Sequence, residues 1–288
     1  MDVDGCADFS FLGRGGFSRV YKAREVAFDR EVAVKILQVD VEEASARQRF
    51  LQECELAGRL TGHPNVVTVL GAGFVEETGE PFIKMEFAPG GSLAASVATD
   101  GPLPAAAAVR TAVLLAGALE SAHRHGVIHR DVKPQNVVFR RTGDPALTDF
   151  GIAAFSGYAA TSSMSTQALT PLYASPELFA GEAADEAADL YGLGATLYFM
   201  LTGEAPHGVP GDNPAVVLGR VLHDAPRPIE SPGVTGDLWN VVAAMLSKSP
   251  ADRPLMTEVI EELNRIERAA GAAPTTAVVI GAPGDGVA

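Results

Sequence analysis

The stretch His129-Arg130-Asp131-Val132-Lys133-Pro134-Gln135-Asn136 constrains this chain more than any other. It is crowded with polar side chains and sits between the apolar pairs Val127-Ile128 and Val137-Val138. No strand or helix period of apolar residues runs through it, so it makes a poor strand and a poor helix. It suits a loop that presents side chains from a folded frame. Asp131 can accept a hydroxyl proton, Lys133 can neutralise phosphate and Asn136 can ligate a metal. The bland alternative is a solvated loop.

Residues 137–148 read as a short hairpin turning at Thr142-Gly143-Asp144-Pro145, and Asp149-Phe150-Gly151 follows. Antiparallel pairing brings the two ends of a hairpin together. Asn136 and Asp149 then stand side by side. A neutral oxygen beside a carboxylate is what Mg²⁺ bridging nucleotide phosphates requires.

Upstream lies Gly13-Arg14-Gly15-Gly16-Phe17-Ser18-Arg19-Val20. Glycines let backbone N–H groups approach phosphate oxygens, but turns are glycine-rich for steric reasons alone. A dinucleotide-binding loop needs a helix directly afterwards, whereas β-like sequence follows here. The phosphate-binding pattern ending in Gly-Lys-Ser/Thr is absent. Lys35 lies in the apolar run Val32-Ala33-Val34-Lys35-Ile36-Leu37. It either snorkels to the surface or, with a hairpin turn near Phe28-Asp29, lies opposite about Lys22 and meets the same phosphates. Glu53 shares a helical face with Phe50, Ala57 and Leu60. A carboxylate on an apolar stripe is costly unless paired. Lys35 is its candidate partner; the alternative is a Glu at the stripe's exposed edge.

Composition narrows the partners. Lys plus Arg is 22 against 36 for Asp plus Glu, a net charge of −14. That balance argues against nucleic acid. Two cysteines, Cys6 and Cys54, cannot frame a disulfide scaffold and read as reduced thiols of a cytoplasmic protein. No run of 18 apolar residues appears, the longest candidate being Leu190 to Gly203, so no membrane segment is expected. The acidic start, Met1 to Asp8, lacks a signal-peptide pattern.

The order of elements points to an α+β fold with two lobes. Strands are expected within 9–40, at Val66–Leu70 and at Pro81–Phe87, with a helix over 42–60. After Pro89-Gly90-Gly91 the chain turns helical, beginning with a long Ala/Leu-rich helix over 104–125. The expected organisation is a leader at 1–8, a β-rich lobe at 9–88, an α-rich lobe at 89–268 and a disordered Ala/Gly/Pro-rich tail at 269–288. His123, His125 and His129 lie close in sequence, but without a nearby cysteine or a fourth ligand a zinc site is disfavoured. His129 is expected to brace its loop.

From about Phe9 to Arg268 these motifs, in this order, resemble the eukaryotic-like (Hanks-type) serine/threonine protein kinases of bacteria. The resemblance implies a bilobal protein-kinase fold and an enzyme that moves the γ-phosphoryl group of ATP, with Mg²⁺ or alternatively Mn²⁺, to protein Ser/Thr hydroxyls. By it, Leu12, Gly13, Gly15, Gly16 and Val20 cover the nucleotide, and Ala33 joins Val20 above the base. Lys35 holds the α/β-phosphates and pairs with Glu53. Met85 guards the back of the adenine pocket, with Glu86 to Ala88 as hinge. Asp131 is the catalytic Asp, Lys133 neutralises phosphate, and Asn136 and Asp149 hold the metal. Ser18 replaces the third glycine of the nucleotide loop, and Ser175-Pro176-Glu177 stands where Ala-Pro-Glu is usual. Glu177 is expected to pair with Arg253, Asp189 to support the catalytic loop and Thr170 to contact Asp131.

Lys133 marks Ser/Thr specificity within that family, and Arg130 suggests control by phosphorylation. Thr161-Ser162-Ser163-Met164-Ser165-Thr166 carries five hydroxyls in six residues, candidates for autophosphorylation between self-associating copies. Two rivals remain at this stage. A pseudokinase scaffold is disfavoured because Lys35, Glu53, Asp131, Asn136 and Asp149 are all present. A small-molecule kinase has no need of the segment from Thr170 to Glu177.

Overall fold

The computed structural model describes residues 3, 5–16, 18–39, 44–150, 172–209 and 211–281. Strands β1 (Cys6–Gly15), β2 (Ser18–Glu25), β3 (Arg30–Leu37), β4 (Val69–Phe74) and β5 (Pro81–Glu86) form one antiparallel sheet in the order β1-β2-β3-β5-β4. β3 lies at its centre, which explains its unbroken apolar run: both faces are covered. Side chains alternate across a strand. Val32, Val34 and Ile36 face one cluster with Val3, Val75 and Phe82, while Ala33 and Leu37 face another with Phe50, Cys54 and Met85. Lys35 therefore shares the face of Ala33 and Leu37.

That second face is covered by α1 (Ala44–Gly58), which buries Phe50, Cys54 and Ala57. Those positions recur at helical spacing, and the Phe50 ring meets Phe74 of β4 edge-on at 5.6 Å. Glu53 lies beside this stripe and is half-buried.

The remainder is mainly helical: α2 (Leu93–Asp100), α3 (Ala105–Arg124), α4 (Pro176–Phe179), α5 (Glu186–Thr202), α6 (Pro214–His223), α7 (Gly236–Met245) and α8 (Met256–Ala269), with a hairpin of β6 (Val137–Phe139) and β7 (Pro145–Leu147). Side-chain caps from Ser92, Asp185, Asn213 and Thr235 start α2, α5, α6 and α7. α5 is apolar around its whole circumference, and a helix of that kind must be buried. Leu190, Leu193, Leu197 and Leu201 are indeed all in the core. α3 has the length and hydropathy to cross a membrane, but about two-thirds of that apolar window is buried inside the protein, as for a core helix.

Four expectations change. β1 begins at Cys6 and Val3 is buried under the sheet, so part of the expected leader belongs to the small lobe. The strand expected at Val66–Leu70 starts only at Val69; Val66 instead bridges Leu147 in the other lobe. The β2–β3 register sets Lys35 opposite Val20, not Lys22, because the turn centres one residue earlier than Phe28-Asp29. The tail expected to be disordered is ordered as far as residue 281: Thr275 is buried, and its hydroxyl and N–H both bond Glu267. Composition misled here, since Ala and Gly fit a packed groove as readily as a linker.

Candidate active site

The loop at 129–136 is held from beneath by Asp189 near the start of α5. Its carboxylate is 1% exposed and accepts three hydrogen bonds, from His129 N–H at 2.8 Å, Arg130 N–H at 2.7 Å and His123 Nε2 at 2.8 Å. Burying a carboxylate is costly, and these charge-assisted bonds offset that cost. Gly192, one turn along α5, lets the loop lie against the helix: a Cβ there would stand 2.8 Å from the Val132 carbonyl oxygen. Arg130 takes a left-handed backbone, φ 69°, uncommon outside glycine.

His129 ties this loop to the following hairpin. Its Nε2 donates to the Thr148 carbonyl at 2.9 Å and its Nδ1 accepts from Asp131 N–H at 3.3 Å. His123 and His125 bond Asp189 and the Ser121 carbonyl respectively, so the three histidines do not share one centre. Among the described residues no cluster of three His, Cys, Asp or Glu is placed to hold a metal.

The β6–β7 hairpin closes as its sequence predicts. Val137 pairs with Leu147, and Thr148 N–H bonds the Asn136 carbonyl at 2.9 Å, which sets Asn136 beside Asp149. Asn136 Nδ2 donates to the Asp131 carbonyl at 2.8 Å and to its carboxylate at 3.0 Å. Lys133 Nζ lies 2.7 Å from the same Asp131 carboxylate. Asp149 also has a left-handed backbone, φ 71°.

From the sheet, Lys35 Nζ reaches Asp149 Oδ2 at 2.8 Å, with the two side chains 15% and 14% exposed. The expected ion pair between Lys35 and Glu53 is not formed. Lys35 reaches across to the hairpin instead, because Asp149 offers a carboxylate on the cleft side of the sheet. The other oxygen of Asp149, Oδ1, is buried without a hydrogen-bond partner among the described residues. A buried orphan carboxylate oxygen invites a cation. Asp149 and the Asn136 side-chain oxygen suit a divalent metal that takes few protein ligands and keeps its waters.

Ala33 and Met85 belong to one buried cluster on the Lys35 face of the sheet, with Val20 opposite Lys35 in the register. Two residues join them that sequence reasoning missed. Val138 packs with Ala33 and Met85; its signal was available, two positions past Asn136 on a predicted strand. Thr148 Oγ1 contacts Met85 Sδ at 3.4 Å. Behind Met85 lies a cavity of about 20 Å³ lined by Cys54, Ala57, Asp149 and Phe150, in which burial pushes the Cys54 thiol up to about 12. Glu86 N–H bonds the Thr68 carbonyl, and the Glu86 carboxylate pairs with Arg140. Leu12 is half exposed at the mouth. Gly13 pairs with Val20, and Gly15 with Ser18 across the turn. A Cβ on Gly15 would sit 2.9 Å from Ser18 Oγ, so the serine in place of the third glycine tightens the turn.

Away from the cleft, Arg253 grips Glu177 with two bonds at 2.7 and 2.8 Å, as expected. Burial is the largest single influence and pushes the Glu177 carboxyl up, but the hydrogen bonds and charge of Arg253, added to hydrogen bonding from the neighbouring stretch of chain, hold the group below its ordinary range. Phe17, Gly151, Thr170 and the stretch Thr161 to Thr166 lie outside the described residues.

Residues 7–263 match the family described as the protein kinase domain. The chain belongs to that family. It is 39% identical to the serine/threonine-protein kinase PknK of Mycobacterium bovis over 262 residues, covering 90% of this chain and 23% of that protein. It is 37% identical to the serine/threonine-protein kinase PknB of Mycobacterium leprae over 248 residues, covering 84% of this chain and 39% of that protein. A probable PknB of Corynebacterium glutamicum is 34% identical over 269 residues, covering 89% of this chain and 41% of the relative. The chain thus spans about a quarter to two-fifths of the curated relatives it matches. As in the family, a small antiparallel sheet with one long helix stands over a helical lobe, and members use ATP with a divalent metal.

Proposed function

We propose that this chain is the catalytic module of an ATP-dependent serine/threonine protein kinase, transferring the γ-phosphoryl group to protein hydroxyls. The observation that carries this is the convergence of Lys35 from β3 with Asp149 after β7, next to the linked side chains of Asn136, Asp131 and Lys133. Two ion pairs, Lys35 with Asp149 and Lys133 with Asp131, are tied together through the backbone bond from Thr148 N–H to the Asn136 carbonyl. An isolated arrangement of that kind would be costly to hold, so its chemistry is the reason to keep it.

In this reading Asp131 orients the acceptor hydroxyl and takes its proton. Lys133 leaves the Asp131 carboxylate for the transferring phosphoryl and neutralises charge there. Lys35 turns from Asp149 to the α/β-phosphates, and Glu53 takes over as its partner on α1. Asn136 and Asp149 hold the divalent ion, Mg²⁺ with Mn²⁺ as the alternative, whose charge offsets that of the phosphates. Positioning and charge stabilisation supply most of the rate, as expected for phosphoryl transfer. Leu12, Gly13, Gly15, Gly16 and Val20 cover the phosphates and base. Ala33, Val138 and Met85 enclose the adenine, and the backbone from Glu86 to Ala88 bonds its edge.

Serine/threonine choice rests on Lys133 and on the names of the relatives. Protein substrates, and a second copy of the chain as substrate for the hydroxyls at 161–166, are the proposed partners. Arg130 is then the receiver of that phosphate. Cys6 and Cys54 are not joined in a disulfide, which fits the reducing cytoplasm where ATP is plentiful. The test is transfer of labelled γ-phosphate to generic protein substrates and to small alcohols. Label on protein Ser/Thr supports the reading; label only on small alcohols, or none, overturns it.

A further inference from the structure

The chain beyond α8 runs back across the molecule along α3. Ala272 N–H bonds the Glu267 carbonyl at 2.9 Å, and Thr275 is fastened at both N–H and hydroxyl to the Glu267 carboxylate at 2.6 Å. Ala277 packs on the core of the large lobe. Ile280 N–H bonds Ser121 Oγ of α3 at 2.9 Å, and that hydroxyl is itself oriented by the Gly117 carbonyl at 2.7 Å. Gly117 sits under the segment: a Cβ there would stand 2.6 Å from the Val278 carbonyl oxygen and 3.1 Å from the Ala277 side chain. α3 carries a glycine in its middle, at a known cost to helix stability, where the segment crosses.

At that crossing the segment meets the turn after α1. His63 is 2% exposed, and its Nε2 donates to the Val278 carbonyl at 2.9 Å. Its Nδ1 accepts from Asn65 N–H at 3.0 Å. Asn65 in turn grips β7, with Nδ2 on the Pro145 carbonyl at 2.8 Å and its own carbonyl accepting from Leu147 N–H at 2.9 Å. Two residues beyond Leu147 is Asp149. A continuous line of hydrogen bonds therefore runs from Val278, where it is partly buried, through the buried His63 and Asn65 to the strand that presents the carboxylate proposed to bind metal.

We propose that residues 272–280 are a strap that positions Asp149, with His63 as the positioning residue through which it acts. The strap lies in a groove that Gly117 leaves open, and it fixes the turn on which β7 rests. Loosening it lets β7 and Asp149 drift, which weakens the divalent-metal site before it unfolds the domain. This rests on the kinase reading only in what Asp149 binds.

The test is Gly117→Ala in the full chain. Alanine suits a helix better than glycine, so α3 is kept while the added methyl expels the strap. Hydrogen exchange reads strap release at residues 275–280. Calorimetry of ATP binding across a Mg²⁺ series reads the metal site without any transfer step. The expected result is faster exchange at 275–280 and at 145–149, with a Mg²⁺ requirement raised roughly 5-fold. His63→Ala should raise it similarly, and the double variant no further. Strap release with an unchanged Mg²⁺ requirement overturns the proposal, as does a Gly117→Ala strap that stays protected. A chain that binds ATP with Mg²⁺ and labels no protein would sink the kinase reading while leaving the strap standing.

Discussion

The Lys35 ammonium lies 2.8 Å from the Asp149 carboxylate, both largely withdrawn from water, while Glu53 on α1 stands outside this pair. The two groups assigned to phosphate and metal thus neutralise one another across the cleft. Asp149→Ala removes the carboxylate proposed to hold the metal and leaves Lys35 without its counter-charge. Transfer should fall by about 10³-fold or more, since losing one stabiliser of transition-state charge costs about that much. Lys35→Met should lose orders of magnitude as well. Turnover of Asp149→Ala near that of the parent in a γ-phosphate assay would refute the assignment.

Glu53 gives a sharper discrimination. It has no ion pair with Lys35 in this conformation, so Glu53→Gln should change stability by less than about 0.5 kcal/mol, as surface-type replacements do. If Glu53 takes Lys35 only when nucleotide is bound, transfer should nonetheless fall roughly 10- to 100-fold. Paired urea melts and kinetics decide. A large stability loss with normal kinetics would place the Lys35–Glu53 pair in the resting enzyme instead.

Asp189 carries a structural load. Its carboxylate serves two loop N–H groups and His123 in a buried site. Asp189→Ala strands all three donors, and each unsatisfied buried group costs about 1–3 kcal/mol. A loss of about 3–5 kcal/mol in urea unfolding is expected, with transfer falling because Asp131 is no longer fixed. A loss below about 1 kcal/mol would mean that the loop finds support elsewhere.

Much of this site was legible in local order. Asn136 and Asp149 flank a hairpin, and the pairing rule alone brings them together. Val32 to Leu37 read as an apolar strand interrupted only by Lys35, and the structure then covers both of its faces. What could not be read was choice among distant partners. Glu53 and Asp149 are both carboxylates able to meet Lys35, and neither spacing nor period ranks them. His123 and Asp189 meet only because α3 crosses α5. The segment from Thr275 to Ile280 looked like a linker because its composition is that of one. Its order comes from a groove formed by Gly117 and from buried partners at Glu267, eight residues back, and at His63 and Ser121, which are far away in sequence.

Glu177 and Arg253 form a buried pair far from the cleft. Arg253→Met leaves the Glu177 carboxylate buried and alone, which should cost about 3–5 kcal/mol. Replacing both by methionine should recover part of that loss, because the isolated charge has gone. If the double variant is less stable than Arg253→Met by urea unfolding, the pair contributes more than the avoidance of a bare charge.

His207 sets the expected response to acid. It is 3% exposed, and its Nε2 accepts from Lys248 Nζ at 3.0 Å. Burial first, then the neighbouring cations Lys248, Arg227 and Arg220, push the imidazole down to about 3 from an ordinary 6.5. The unfolded chain takes up a proton near pH 6.5 that the folded chain refuses until about pH 3. Stability from this group is therefore complete above pH 6.5 and is lost progressively as pH falls towards 3. The slope cannot exceed about 1.4 kcal/mol per pH unit for one proton. Lys248 acts in a different window: burial lowers it to about 8 from 10.5, so its cost is relieved only as pH rises from 8 to 10.5. His207→Gln keeps an acceptor for Lys248 and removes the titration. Between pH 7 and pH 5 the parent should lose about 1–2 kcal/mol more than this variant in urea unfolding. Equal losses would show that His207 is not what makes the fold sensitive to acid.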